Sequence, residues 1–287
     1  MIKFLWNSNN YNIGEKDIFW GLYHKKNSNL WIKSILKKVD FKIIKDISEI
    51  QSKDKLIVID SYIHKKIQFY SKIKLFCDQI FLFHLGDEIF HEPKAIREIY
   101  SNCQFVWRTF CSNLYFNANN VNCIPVGYKS GISLTNISVT RNLRWAFVGT
   151  PHKSSRHDLL FNLSEIKPNF IHETGKFGDK NSLNSDQISE IFTKTDFIPC
   201  PNGFFHPETY RVYEALECGC IPIVEDSYNY YERLFPQNPF IKISKWSEAK
   251  TIIKQWNKKN IEKKKNECIK WWNDYKSLLQ NSIRQKI

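Results

Sequence analysis

The sequence predicts an α/β protein of two domains, each built on a parallel β-sheet. Three observations support this fold class. The chain has 287 residues, too many for one small core and enough for two domains. Hydrophobic residues make up 42% of the composition and aromatic residues 15%, which excludes global disorder. Short apolar runs alternate with segments of helical period in two successive series, as parallel α/β folds require.

The first series predicts the N-terminal domain. Its strands are expected at 2–6, 41–44, 55–60, 79–85, 104–110 and 123–128, with helices at 30–39 and 92–102 among the segments between them. The polar stretch 128–144 has no period and is interpreted as a linker. We therefore expect an N-terminal domain of residues 1–135 and a C-terminal domain of residues 136–287.

The second series predicts the C-terminal domain. Its strands are expected at 144–150, 169–175, 196–201, 220–226 and 240–244, and its helices at 157–166, 186–194 and 208–219. An amphipathic helix is predicted over 257–279, either packed on the body or touching a membrane surface. Ligands of parallel sheets bind beyond the carboxyl ends of strands, where the motifs described below fall, and this favours an enzyme over a scaffold.

Composition limits the compartment and the class of partner. No stretch approaches the ~20 apolar residues that span a bilayer, and the N-terminus lacks a signal-peptide pattern, so a cytoplasmic protein is expected. The 8 cysteines form no CxxC pair and are expected to be buried, reduced thiols. The net charge of +13 is explained mainly by solvated lysines, but a basic surface also suits phosphorylated substrates, anionic inner-leaflet lipid or nucleic acid.

The most informative motif is residues 196–226, in which a buried strand, a Pro/Gly loop, a helix and a second strand follow one another. Glu208, Arg211 and Glu214 are three residues apart and share one face of this helix, with Thr209 in its first turn. A helix N-terminus binds anions through its free N–H groups and its dipole. Arg211 would bind a phosphate, and Glu214 would accept hydrogen bonds from ribose hydroxyls. The alternative is that these residues form an ordinary salt bridge on the protein surface.

A second motif, residues 144–160, joins a strand to a helix through a basic loop. Gly149 ends the strand, and Lys153 and Arg156 lie where such a turn meets a diphosphate. The GxGxxG spacing of redox dinucleotide sites is absent. The alternative interpretation is a solvated basic turn.

A third motif, residues 81–93, is an apolar strand that ends in polar residues. A partly desolvated carboxylate at such a strand end suits a general base. Asp87 is the first candidate, Glu88 the second, and His84 an alternative base or an orienting partner; Asp87 could instead cap the next helix. A metal held by His84, Asp87 and His91 is disfavoured because their spacing fits no single helix face. No metal site is predicted.

The run E-T-Y-R-V-Y-E-A-L-E-C-G-C-I-P-I-V-E-D, residues 208–226, resembles the nucleotide-sugar motif of exostosin-like glycosyltransferases, meaning family 47 and its ribitol xylosyltransferase-like relatives. The resemblance implies the GT-B fold, with two Rossmann-like domains facing a cleft and a C-terminal helix. It also implies a nucleotide-sugar donor bound by the C-terminal domain and an acceptor held by the N-terminal domain.

The resemblance also bears on the mechanism. Many GT-B enzymes carry a Glu-x7-Glu pair, but here position 206 is His, so only Glu214 of the pair is kept and an inverting mechanism is favoured. Arg108 and Tyr128 look like elements that accompany exostosin-type cores, and with His206 they are expected to contact the acceptor or line the cleft.

The sequence therefore predicts an inverting, metal-independent glycosyltransferase that needs no cofactor besides its nucleotide-sugar donor. Its acceptor would be a glycan or lipid-linked glycan, anionic in view of the basic surface, as in capsule or lipopolysaccharide assembly. Contact with the inner membrane face is compatible with this function. The alternatives are a nucleic-acid-binding protein, which leaves the acidic strand ends unexplained, and a retaining GT-B transferase or epimerase.

Overall fold

The computed structural model of the chain describes residues 1–7, 31–116, 118–134, 140–176, 179–226 and 228–287. The chain divides into two compact units. The first unit contains the described residues of 1–15, 35–126 and 279–287, and the second those of 16–34 and 127–278. The predicted domain boundary between 135 and 136 lies outside the described residues.

The first unit is built on a six-stranded parallel sheet of order β2-β1-β3-β4-β5-β6. The strands are β1 (Ile2–Trp6), β2 (Lys42–Ile44), β3 (Lys55–Asp60), β4 (Gln79–His84), β5 (Phe105–Arg108) and β6 (Val121–Cys123). The central strands are apolar over nearly their whole length because both faces of the sheet are covered. One buried cluster that includes Val58, Leu82, Ile96 and Val106 forms its core.

The second unit is built on a five-stranded parallel sheet of order β11-β10-β9-β7-β8. The strands are β7 (Leu143–Gly149), β8 (Asn169–Glu173), β9 (Thr195–Cys200), β10 (Ile221–Glu225) and β11 (Ile241–Ile243). Its core cluster includes Trp145, Phe197, Ile223 and Trp246. Two parallel sheets with helical crossovers confirm the predicted fold class.

Helices connect the strands. The α-helices are Trp31–Ile35, Ile67–Lys74, Pro93–Ser101, Asn113–Phe116, Arg156–Leu163, Ser185–Thr193, Tyr210–Glu217, Tyr230–Leu234, Trp246–Gln255 and Lys258–Lys286, with short 3-10 turns at Ile47–Glu49 and Ile63–Lys65. The last helix is longer than predicted. Its apolar side chains pack inward: Trp272 is 1% exposed and stacks on Trp31 with ring centroids 5.6 Å apart.

Two predictions for the end of the first sheet are wrong. The strand expected over 123–128 is instead β6, which ends at Cys123. After one more hydrogen bond, from the Ile124 N–H to the carbonyl of Arg108 at 2.8 Å, the pairing stops, because Pro125 has no N–H to donate and Gly127 has a φ of 77°. Cys111 and Cys123 form a disulfide rather than two thiols, whereas the other six cysteines are free and buried.

Candidate functional site

Polar residues end three neighbouring strands of the first sheet. Asp60 ends β3 and pairs in register with His84, which ends β4 and pairs with Arg108 at the end of β5. The three side chains thus meet at the carboxyl edge of the sheet, where α/β proteins bind ligands. Asp60 accepts hydrogen bonds from Tyr70 Oη at 2.9 Å and from Lys66 Nζ, so its charge is already compensated.

Arg108 is fully buried at this edge. Its Nη2 donates to Asp87 Oδ2 at 2.8 Å and its Nη1 to Tyr100 Oη at 3.1 Å. The guanidinium also lies over the Tyr115 ring, 4.3 Å from the centroid. With these partners Arg108 serves as an internal counter-ion within the first unit.

Asp87 is 3% exposed, and protein groups bind both of its carboxylate oxygens. Besides the bond to Arg108, Oδ1 lies 2.9 Å from both the backbone N and the ring Nδ1 of His91. Burial opposes ionisation, but the charge of Arg108 and the hydrogen bonds from Arg108 and from the His91 backbone outweigh it and lower the pKa of Asp87. Asp87 is therefore ionised at neutral pH and rigidly held.

The other two predicted bases lie beside Asp87. His84 is 1% exposed, and its Nδ1 lies 2.7 Å from Tyr100 Oη. Burial first, and then the charge of Arg108, hold the pKa of His84 well below its usual value, so the ring is neutral. Glu88 is half-buried in the turn that follows Asp87.

The second unit contains a cavity of about 560 Å³ at the carboxyl ends of its strands. We call it the second-unit cavity. Its lining comes from the strand β7 and its loop, the segment after β8, and the start of the helix Tyr210–Glu217. The lining residues are Lys129, Ser130, Val148, Gly149, Thr150, Lys153, Arg156, Thr174, Lys176, Asp179, Ser182, Leu183, Asn184, Ser185, Ile188, Thr209, Tyr210, Arg211 and Glu214.

Two guanidinium groups are fixed around Gly149 in this cavity. Arg211 Nη2 donates to the carbonyl of Val148 at 2.7 Å, and Arg156 Nη1 donates to the carbonyl of Thr150 at 3.0 Å. Gly149 has a φ of 146°, and a Cβ added there would lie 2.7 Å from Arg211 Nη2. The glycine thus provides both the backbone conformation and the space that bring the arginine to the strand end.

A carboxylate lies beside these cations. Glu214 is 9% exposed, and burial raises its pKa although Lys129 and Arg211 oppose the shift. Glu214 is three residues from Arg211 on one face of the helix, as the spacing predicts. A buried carboxylate of this kind favours ligand groups that donate hydrogen bonds.

The helix Tyr210–Glu217 begins at the cavity wall. Thr209 is its N-cap with extended backbone angles, yet its side chain makes no capping hydrogen bond. Within the described residues, Thr209 Oγ1 has no hydrogen-bond partner although the atom is buried. The first turn therefore adds N–H groups and a hydroxyl to the polar lining of the cavity.

Three of the site residues predicted in the second unit lie outside the cavity lining. Glu208 is 1% exposed and accepts hydrogen bonds from the hydroxyls of Tyr230, at 2.7 Å, and Tyr213. His206 Nδ1 accepts from the backbone N–H of Glu208 at 3.1 Å. Tyr128 is 1% exposed and packs edge-on against Trp31, with centroids 5.7 Å apart. All three make internal packing contacts.

Sequence reasoning missed three charged residues of the cavity. Lys129 precedes the second sheet, whereas Lys176 and Asp179 follow β8. They are isolated in loops, so no spacing or periodicity marks them. Their position after strand ends was the one available signal, since those ends surround the ligand sites of parallel sheets.

Among the residues that the structure describes, no helix is both long and apolar enough to cross a bilayer. This holds for the helix Lys258–Lys286, whose lysines are spread along its length.

Comparisons with known proteins agree with this architecture. The chain is similar to the structure of Anabaena HepE in complex with UDP, with a TM-score of 0.56, 11% identity and coverage of 99% of this chain and 98% of that one. At this identity the likeness shows the fold alone, which is of the GT-B type with two Rossmann-like units.

A relative by sequence is the ribitol-5-phosphate xylosyltransferase 1 of Danio rerio, 26% identical over 160 residues. The alignment spans 48% of this chain but 36% of that protein. The family described as the RXYLT1 C-terminal domain matches residues 129–287, which contain the whole second sheet and the cavity at its edge. The match confirms the resemblance to exostosin-like glycosyltransferases, and the chain belongs to the RXYLT1 C-terminal domain family.

Proposed function

We propose that this chain is a glycosyltransferase that takes its sugar from a nucleotide-activated donor. The observation that carries the proposal is the pair of fixed guanidinium groups, Arg156 and Arg211, on either side of Gly149 in the second-unit cavity. HepE, which shares this fold, was crystallised with UDP, and the Danio rerio relative is named a xylosyltransferase. The UDP ligand and the name xylosyltransferase together support a nucleoside diphosphate sugar as the donor.

The lining of the cavity suits a diphosphate. Five of its side chains are cationic, namely Lys129, Lys153, Arg156, Lys176 and Arg211, against the two carboxylates Asp179 and Glu214. The start of the helix Tyr210–Glu217 adds the positive end of its dipole. These groups would stabilise the negative charge that develops on the leaving diphosphate, so the transfer would not require a metal.

Glu214 would select the nucleoside end of the donor. Its carboxylate is buried at the cavity wall with a raised pKa. Two ribose hydroxyls would donate to its oxygens and replace the water that burial has removed.

The first unit would bind the acceptor and supply the base of an inverting reaction. Such a base takes the proton of the acceptor hydroxyl while the diphosphate leaves from the opposite face of the sugar. The candidates Asp87, Glu88 and His84 follow one another at the carboxyl edge of β4. The net charge of +13 favours an anionic glycan or lipid-linked glycan as acceptor.

A thermal-shift screen tests the donor proposal. We expect UDP and UDP-sugars to raise the melting temperature at millimolar concentration, because a ligand that binds only the folded chain stabilises it. A screen in which no nucleotide or nucleotide sugar produces a shift would refute the proposal. Salt-sensitive retention of duplex DNA or RNA, without any nucleotide effect, would favour the nucleic-acid alternative.

Product stereochemistry tests the inverting mechanism. With an α-linked UDP-sugar, proton NMR of the product should show the β-anomer. An α-linked product would assign the retaining alternative.

A further inference from the structure

His91 is bound to Asp87 through both its backbone and its ring. The backbone N and ring Nδ1 of His91 each lie 2.9 Å from Oδ1 of Asp87, while Arg108 holds the other oxygen at 2.8 Å. The hydrogen-bonded series Arg108–Asp87–His91 thus runs from the interior of the first unit outward. Arg108 is fully buried, Asp87 is 3% exposed, and the His91 side chain is 30% exposed.

The hydrogen bonds decide the tautomer of His91. An ionised carboxylate only accepts hydrogen bonds, so the ring nitrogen beside it must carry a proton. Asp87 is ionised because its pKa lies below the usual value. In neutral His91, Nδ1 is therefore the donor and Nε2 has a free lone pair.

Packing fixes the plane of the His91 ring. It stacks on His64 with centroids 4.6 Å apart and an interplanar angle of 9°. Tyr62 packs edge-on against His91 with centroids 5.8 Å apart. A ring held by two aromatic neighbours and a carboxylate has little rotational freedom to lose when it reacts.

The backbone around this cluster is strained. Phe90 and Glu92, on either side of His91, have φ values of 56° and 33°, and Tyr62 has 51°. Bulky residues rarely adopt the left-handed region, and such strain concentrates at functional sites. Three strained residues thus surround the pair of stacked histidines.

Several titratable groups act on His64, the ring that is stacked on His91. Burial first, and then His91 itself, lower the pKa of His64, so the stacked neighbour is neutral at neutral pH. The carboxylates of Glu92 and Asp87 raise the pKa of His64, whereas the ammonium of Lys65 lowers it further. With Arg108 behind Asp87, these groups come from the loops that follow β3 and β4 and from the end of β5.

We propose that His91 is the general base of the transfer and that Asp87 is its positioning residue. This inference rests on the glycosyltransferase activity proposed above. His91 Nε2 takes the proton of the acceptor hydroxyl, the acceptor oxygen bonds to the anomeric carbon, and the bond to the diphosphate breaks with its electron pair on the diphosphate. Asp87 then stabilises the imidazolium, as the carboxylate of a catalytic triad does.

Donor hydrolysis tests the role of His91 without knowledge of the acceptor, because water then replaces the acceptor hydroxyl. UDP release is measured with UDP-xylose, UDP-glucose, UDP-galactose and UDP-N-acetylglucosamine. We expect His91→Gln to lower kcat by about 10²–10⁴-fold with UDP affinity unchanged. His157→Gln, on an exposed position of the second unit, is the matched control and should retain wild-type turnover.

Chemical rescue distinguishes a catalytic role of His91 from a purely structural one. Added imidazole should restore part of the turnover of His91→Ala, and the restored rate should rise with the concentration of neutral imidazole. Asp87→Asn should lower kcat and alter the pH profile of kcat at unchanged UDP affinity, an effect that a purely structural role would not have. Wild-type turnover in His91→Gln, or loss of turnover in Glu88→Gln alone, would overturn the inference.

A measurement on the resting protein does not depend on turnover. Nitrogen-15 NMR of the histidine rings should show His91 protonated at Nδ1, and Asp87→Asn should change that signal. Protonation at Nε2 would overturn the inference. If UDP binds but His91 is dispensable, only this inference fails; if no nucleotide binds or no UDP-sugar releases UDP, the proposed function fails with it.

Discussion

The guanidinium of Arg108 and the carboxylate of Asp87 form an ion pair in the interior of the first unit, with Nη2 and Oδ2 2.8 Å apart. The two residues lie at the ends of different segments, on β5 and after β4. The pair explains two properties of the strand edge at once: Asp87 is ionised although it is buried, and it is held in one orientation toward His91.

Removal of Arg108 should destabilise the first unit. Arg108→Met would leave the Asp87 carboxylate buried and uncompensated, so we expect a loss of about 3–5 kcal/mol in the free energy of unfolding. Urea denaturation measures the change. Arg97→Met, at an exposed position of the helix Pro93–Ser101, is the control and should change stability by less than about 0.5 kcal/mol. An equal response of the two variants would contradict the buried-pair interpretation.

Glu214 should make the unliganded protein less stable as the pH rises. Its pKa is higher in the folded chain than its usual 4.5, so the folded state holds this proton longer than the unfolded state does. The contribution to stability is therefore greatest below pH 4.5 and is lost as the pH rises through the folded pKa.

Glu214→Gln removes this titration. The melting temperature of the variant should exceed that of the wild type, and the difference should grow as the pH is raised from acid to neutral. UDP should stabilise the variant less than the wild type. Glu165→Gln, at an exposed position of the second unit, should follow the wild type. A difference that is constant with pH would contradict the assignment.

Gly149→Ala should weaken nucleotide binding. The φ of 146° disfavours any side chain, and the new Cβ would meet Arg211 Nη2 at 2.7 Å. The guanidinium would have to leave the Val148 carbonyl and so move away from the place where we propose that the diphosphate binds. We expect a loss of UDP affinity of about tenfold or more, equal to about 1.4 kcal/mol. Calorimetric titration with UDP checks it, and unchanged affinity would mean that Arg211 does not depend on this glycine.

Much of the fold could be predicted from the sequence because buried parallel strands are continuous apolar runs. The strands Ile2–Trp6 and Lys55–Asp60 lie where the sequence predicts them. The prediction was wrong at 123–128, where burial continues after pairing has ended. Gly127 there lies directly against the Trp31 indole, a contact that no local pattern reveals.

The candidate site was predictable where its residues follow one another along the chain. Lys153, Arg156 and Arg211 are predicted because a strand, a loop and a helix start appear in succession in each motif, and all three line the second-unit cavity. The Arg108–Asp87 pair was not found, since 21 residues separate its members and only the register of neighbouring strands brings them together. The sequence indicated His91 only as a possible metal ligand. Its position four residues after Asp87 did not reveal that the two side chains are in contact.

The central claim is that the second-unit cavity binds the diphosphate of a nucleotide sugar through Arg211. Calorimetric titration with UDP of the wild type, Arg211→Lys and Arg233→Lys tests it most directly. Lysine keeps the charge but loses the paired N–H groups, so Arg211→Lys should bind UDP about 10–100-fold more weakly. The variant Arg233→Lys, which is changed at an exposed position, should bind UDP as the wild type does. Equal UDP affinity in all three proteins, or no binding by the wild type, would contradict the claim.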